Sequence, residues 1–169
     1  MKAEIIKNNS GISILEVVVA MMIITLGMIG VMSLVIQNVR AQYINKNVLM
    51  ASGLAQEGLE LVRNIRDLNW LTNGNEWDEN IVGDGTYTID YGGSASINDI
   101  NSIDEAGARL YVNSDGFYTH TVTAMPTNFY RLITVVDNDD YLDVKCEIRW
   151  KDGTQNHNYT AETYLYNWR

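Results

Sequence analysis

The chain has 169 residues with 21 Asp+Glu against 12 Lys+Arg, a net charge of −9, two histidines and one cysteine. That length leaves room for one modest domain and an appended element. The lone Cys146 excludes an internal disulfide or a thiolate metal cluster within one chain, and the acidic balance argues against a nucleic-acid contact, which needs clustered Lys and Arg.

Residues 17–39, VVVAMMIITLGMIGVMSLVIQNV, are 23 consecutive positions without a charge, bounded by Glu16 and Arg40. As a helix rising 1.5 Å per residue the run measures roughly 35 Å, enough for a hydrocarbon core of about 30 Å. It predicts a transmembrane helix. The leader before it, MKAEIIKNNSG, carries Lys2 and Lys7 against Glu4, which places the N-terminus in the cytoplasm and the remainder outside. A secretory signal would have a shorter apolar core, about 7–15 residues, and a small-residue cleavage site. The only such position, Val39-Arg40-Ala41, has a charge in its middle. A plain single-pass anchor stays open, with Glu16 at the edge of the run reaching to the headgroups, but an acid there is a functional candidate, because a charge costs about 2.5–3.5 kcal/mol at the bilayer centre and less near the interface. If the chain were cut between Gly11 and Ile12, the new amino group of a neighbouring subunit could pair with Glu16 and set the stagger between packed helices.

The helical pattern continues beyond the apolar run. Ile44, Val48, Ala51, Ala55, Gly58, Val62 and Ile65 recur at steps of four and three, with Leu54, Leu61 and Leu68 on an adjacent line. This predicts one helix from about Ile12 to about Asp67, its second half amphipathic and packed through small residues against a sheet. Glu60 with Arg63, and Arg63 with Asp67, have the spacing of helical ion pairs on the wetter side.

After Trp70 the texture changes to turns and short β-rich runs. LTNGNEWDEN is a polar loop, Thr86–Tyr91 alternates as a strand, and Gly92–Asp104 is a second loop. Arg109–Val112 and Phe117–Val122 flank an Asn-Ser-Asp-Gly turn and predict a hairpin. Phe129–Asp137, Leu142–Trp150 and Tyr159–Trp168 follow as an antiparallel meander. Cys146 alternates with apolar neighbours and reads as an inert core thiol. Tyr164, Tyr166 and Trp168, with Tyr159 nearby, are read as covering the sheet face that packs on the helix, although a partner or glycan platform is the alternative.

From Asp67 onward there are 17 acids and 6 bases, a balance of −11, so the exposed domain should be soluble and poor at binding anionic polymers. Asp137, Asp139, Asp140 and Asp143 crowd one loop and are candidate oxygen ligands for a hard cation such as Ca²⁺, but without the EF-hand pattern they read first as turn residues. No catalytic constellation is found: neither His120 nor His157 lies near a nucleophile elbow, and no phosphate-binding glycine loop is present. An enzyme is therefore not expected.

The string Gly11-Ile12-Ser13-Ile14-Leu15-Glu16, followed at once by the apolar run, resembles the prepilin signal of type IV pilins and of the pseudopilins of type II secretion. LAQEGLELVRNIRDLNW (54–70), FYTHTVTAMPTNFYRLITV (117–135) and CEIRWKDG (146–153) resemble minor pilins of the pilus-modification type. The resemblance implies an α+β, pilin-like fold: a long N-terminal helix, first half transmembrane, packed on a C-terminal antiparallel β-sheet. Its parts would be a prepilin leader (1–11), the transmembrane and assembly half of the helix (12–39) and an extracytoplasmic domain (40–169). It further implies cleavage after Gly11 by a prepilin peptidase, N-methylation of Ile12, an assembly role for Glu16 and no cofactor. The implied partners are other pilin subunits, the peptidase, the assembly platform in the membrane and the lipid bilayer. The implied location is the plasma (inner) membrane and then a cell-surface pilus.

Three departures from the common pattern set the subunit type. The mature chain would begin with Ile12 rather than phenylalanine. The only proline is Pro126, outside the span, so that Gly27, Gly30 and Ser33 would supply flexibility there. Cys146 cannot close the C-terminal disulfide of many major pilins. The departures favour a minor pilin or a pseudopilin over a major pilin, and the expectation taken is a minor pilin of a type IV pilus. A pseudopilin of a type II secretion or DNA-uptake machine remains open within the family, and a single-pass anchored surface binding protein outside it.

Overall fold

A computed structural model of the chain describes residues 11–81, 83–91, 95–96, 100–122 and 125–168; all of the expected leader except Gly11 lies outside them. The chain divides into two units, Met1–Ile44 and Asn45–Arg169. One helix, α1 (Ile14–Leu71), runs through Gly27 and Gly30 without interruption. Its first main-chain bond is donated by Val17 N to Ser13 O at 3.2 Å, and Glu16 in the first turn suits the positive end of the helix dipole.

In the first unit the described residues are exposed nearly throughout, from Gly11 to Tyr43. Hydroxyls within the apolar stretch are satisfied by the helix itself: Thr25 Oγ1 donates to Met22 O at 2.9 Å, and Ser33 Oγ accepts from Gln37 Nε2 at 3.3 Å. Such internal pairing lets polar side chains enter a medium without water.

In the second unit the rest of α1 packs on an antiparallel sheet. The strands are β1 (Gly85–Ile89), β2 (Ala95–Ser96), β3 (Arg109–Val112), β4 (Tyr118–Thr119), β5 (Met125–Asp137), β6 (Tyr141–Asp152) and β7 (Gln155–Tyr166). Six of them join in one ladder, and the short β2 pairs only with β1. β6 pairs with β5 along one edge and with β7 along the other. The opposite edge of β5 is shared end to end: β1 takes Ile133–Val135, and β3 takes Met125 to Tyr130 across a bulge between Arg109 and Tyr111. The β3–β4 turn is the expected one, with Asn113 Oδ1 accepting from Asp115 N and Phe117 N and with Gly116 at φ +87°.

Period-two alternation puts Phe129, Ile133 and Val135 of β5, and Leu142, Val144, Cys146, Ile148 and Trp150 of β6, on the face toward α1. They meet Ala51, Leu54, Ala55, Leu59, Val62 and Ile65 of the helix. Of the predicted stripe, Val48 and Leu68 are exposed, Ile44 and Leu61 are only partly buried, and Leu59, which was not predicted, joins the core. This is the α+β arrangement expected, consistent with a pilin-like fold. Cys146 is fully buried, as expected.

Several expectations are corrected. The helix ends at Leu71 rather than near Asp67, because side-chain contacts hold the extra turn: within the helix Arg66 lies over the Trp70 ring at 4.5 Å, and from outside it Trp168 meets Trp70 edge-on at 4.5 Å while Asn69 Nδ2 donates to Trp77 O and Glu79 O. Arg63 pairs with Glu60 as predicted, but Asp67 pairs with Arg66, at 2.9 Å, instead of Arg63. Tyr164 and Tyr166 do not cover the helix-facing side. Leu165 between them is the buried residue of that strand, so both tyrosines stand on the opposite, exposed face around Tyr141, at 5.5 and 5.3 Å. Tyr159 does pack toward the main core. On that opposite face Ile100, Ile103 and Ala108, from a stretch read largely as loop, form a second small core with Leu132 and Tyr130.

Candidate functional site

The N-terminal candidates lie together at the start of the helix. Gly11, Ile12 and Ser13 are non-helical and exposed, and a Cβ at Gly11 would meet nothing within 4 Å. Glu16 is exposed in the first turn and has no ion-pair partner among the described residues. Behind it Val17, Met21, Ile24, Met28, Val31 and Val35 are each at least 40% exposed, in company with nearly every other apolar side chain up to Val39. A continuous apolar surface of this size is not left to water by a folded protein. The helix is long and apolar enough to cross a membrane.

The acidic loop behaves as turn chemistry. Asp137 Oδ1 accepts from Asp139 N at 3.0 Å, Asp137 N donates to Asp84 Oδ1 at 3.0 Å, and Asp139 takes a left-handed conformation at φ +63°. Asp143 lies instead on β6, opposite Val136 and Tyr164. Thus Asp137, Asp139, Asp140 and Asp143 are not gathered as ligands, and among the described residues no group of His, Cys, Asp and Glu could hold a metal ion.

Three polar sites were not singled out from sequence. The first is Arg131, fully buried between β5 and α1. Its Nη1 meets Glu57 Oε1 at 3.1 Å and its Nη2 donates to Ile89 O at 2.7 Å. Its signal was available: Arg131 shares the parity of Phe129, Ile133 and Val135. The second is His120. Its Nδ1 lies 3.1 Å from Gly107 O, its main-chain N–H donates to Asp90 Oδ1, and Nε2 is buried without a partner. Burial, helped by the nearby Arg131 charge, lowers the His120 pKa to about 4. Burial likewise pushes the Cys146 thiol up to about 12, so it is held un-ionised. His157 stacks on Trp150 at 5.3 Å.

The third is a polar cavity of about 390 Å³ on the sheet face away from the helix. Arg109 opposes Tyr130, Tyr130 opposes Arg149 and Arg149 opposes Asn158, giving one transverse row on one face. Lys151 opposes Asn156 one step along, and Asp104 closes the side. No signal short of the strand register brings these residues together.

Comparison of the chain with protein-family models, with curated proteins and with solved structures finds no match.

Proposed function

We propose that the chain is a structural minor subunit of a type IV pilus, cut between Gly11 and Ile12, methylated on Ile12 and assembled through its N-terminal helix. The observation that carries this reading is the division of labour within α1. Its second half supplies the core of a sheet domain, while its first half presents an apolar surface on all sides with a single acid in the first turn. Such a surface can be satisfied by lipid before assembly and by neighbouring helices after it. In the filament the amino group of Ile12 on one subunit would neutralise Glu16 of another, so that the acid is paired where water is excluded. The peptidase can reach the Gly11–Ile12 peptide because it precedes the helix.

The test is the N-terminal sequence and mass of the protein recovered from membranes and from sheared surface filaments. A start at Ile12 carrying one added methyl is expected in both fractions. An intact Met1 start with no filament-bound form would replace this reading with that of a single-pass anchored protein.

A further inference from the structure

We propose that the cavity between Arg109, Tyr130, Arg149, Lys151 and Asn156 binds a ligand with a single carboxylate and several hydroxyls, of the class of a uronic acid sugar. The charge distribution points there first. The domain from Asp67 onward carries only six bases against 17 acids, yet three of those bases line this one cavity. Lys145 is paired with Glu162, and Arg131 is buried on the other face. Concentrating the scarce cations in one concave place on an acidic surface makes it the natural site for an anion.

The cations differ in their availability. Arg149 is held by Asp104 at 2.6 Å, Glu147 at 3.1 Å and Asn158 Oδ1 at 2.9 Å. It forms a fixed wall. Arg109 donates its Nε to Thr127 O at 3.0 Å and lies 5.8 Å from the Tyr111 ring centroid, which leaves its two terminal nitrogens without a hydrogen-bond partner among the described residues. Lys151 has no ion pair among them either, and it is exposed. Two positive charges with no ion pair among the described residues therefore face one cavity.

The same inventory selects the kind of anion. The lining Arg109, Arg149 and Lys151 face the lining Asp104, and Glu147, outside the lining, neutralises Arg149 from behind; the resulting balance of +1 suits a carboxylate and disfavours a phosphate near −2. Asn128 and Asn156 offer amide donors and acceptors for hydroxyls, and the Tyr130 ring offers an apolar surface for a sugar face. A cavity of about 390 Å³ is at the small end of ligand sites, which fits one charged sugar residue rather than a long polymer segment. This site is independent of the filament reading, since it uses no residue of the N-terminal helix.

The experiment is calorimetry on the full chain in a polyoxyethylene detergent, which has no sugar headgroup to compete. The probes are sodium glucuronate, glucose, acetate and inorganic phosphate. Saturable glucuronate binding is expected, with glucose and acetate each weaker by about tenfold or more. Lys151→Gln, at an exposed position with no ion pair among the described residues, should weaken glucuronate by about tenfold at unchanged thermal stability, and Arg109→Gln should weaken it by a similar factor while also losing the bond from Nε to Thr127 O. No saturation by any probe up to about 20 mM overturns the site. Phosphate or acetate binding as tightly as glucuronate overturns the ligand class, and glucuronate binding that both variants leave intact overturns the location.

Discussion

Arg131, with no exposed surface, meets Glu57 across the interface between the sheet and the helix, Nη1 to Oε1 at 3.1 Å. Glu57 keeps about a third of its side chain in water, so the pair is buried at one end only. The guanidinium also bonds Ile89 O of β1 and thereby joins α1, β5 and β1. Breaking such a pair costs chiefly through the charge left behind. Glu57→Ala should destabilise the domain by about 1–3 kcal/mol, and Arg131→Met should cost less in the Glu57→Ala background than in the wild type. Thermal unfolding of the four proteins in detergent checks this; additive losses would show that the pair is uncoupled.

Gly58 faces the same interface. A Cβ built there would stand 2.8 Å from Cys146 Sγ and 3.3 Å from Arg131 Cδ. Alanine normally gains about 0.8–1.0 kcal/mol over glycine inside a helix. Here the clash with a buried, immobile sulfur reverses the sign, and Gly58→Ala should be destabilised by about 1–2 kcal/mol net. Adding Cys146→Ala should recover part of that loss, although Cys146→Ala alone leaves a small cavity. A midpoint for Gly58→Ala at or above the wild type would contradict the close packing.

His120 should make stability depend on pH. Its folded pKa of about 4 lies below the ordinary value of 6.5, so the unfolded chain binds the proton more readily. The neutral ring therefore contributes stability that is fully present above about pH 6.5 and is lost as pH falls toward 4. His120→Gln should flatten that part of the profile, on the order of 1–3 kcal/mol between the two limits. Melting temperatures across pH 4–7 for both proteins provide the comparison, and identical slopes would exclude His120 as the cause.

Glu16→Ala bears on the proposed assembly role. The residue is exposed, and no described neighbour depends on it. Membrane insertion and folding of the sheet domain should be unchanged, while the amount in sheared filaments falls by about tenfold, the equivalent of about 1.4 kcal/mol of lost pairing. Quantitative blots of membrane and sheared fractions separate the two effects. Wild-type incorporation would remove Glu16 from assembly.

Much of this protein follows from periodicity that is local in the chain. The uncharged run 17–39 and the stripe through Ala51, Ala55, Gly58, Val62 and Ile65 require only 3.6 residues per turn and the cost of leaving apolar surface in water. The Asn-Ser-Asp-Gly turn and the alternation along β6 are equally local, and so is the assignment of Cys146 to the core. The candidates Gly11, Ile12 and Glu16 come instead from the resemblance of one contiguous string to a prepilin signal, and their roles stand as part of the proposal.

Tertiary structure alone decided the pairing across strands. That β1 and β3 share one edge of β5 depends on loop closure over tens of residues, for which no local pattern exists. Register then set which face each side chain takes: a slip of one residue would have put Tyr164 and Tyr166 on the helix, where the sequence reading placed them. It also aligned Arg109, Tyr130 and Arg149 into one row from three separate strands, and it brought Arg131 under Glu57 across an interface of 74 positions in sequence. Alternation within one strand is dictated by its own pleat, whereas contact between strands is chosen by the packing of the whole domain, and the charged and aromatic sites of this protein belong to the second kind.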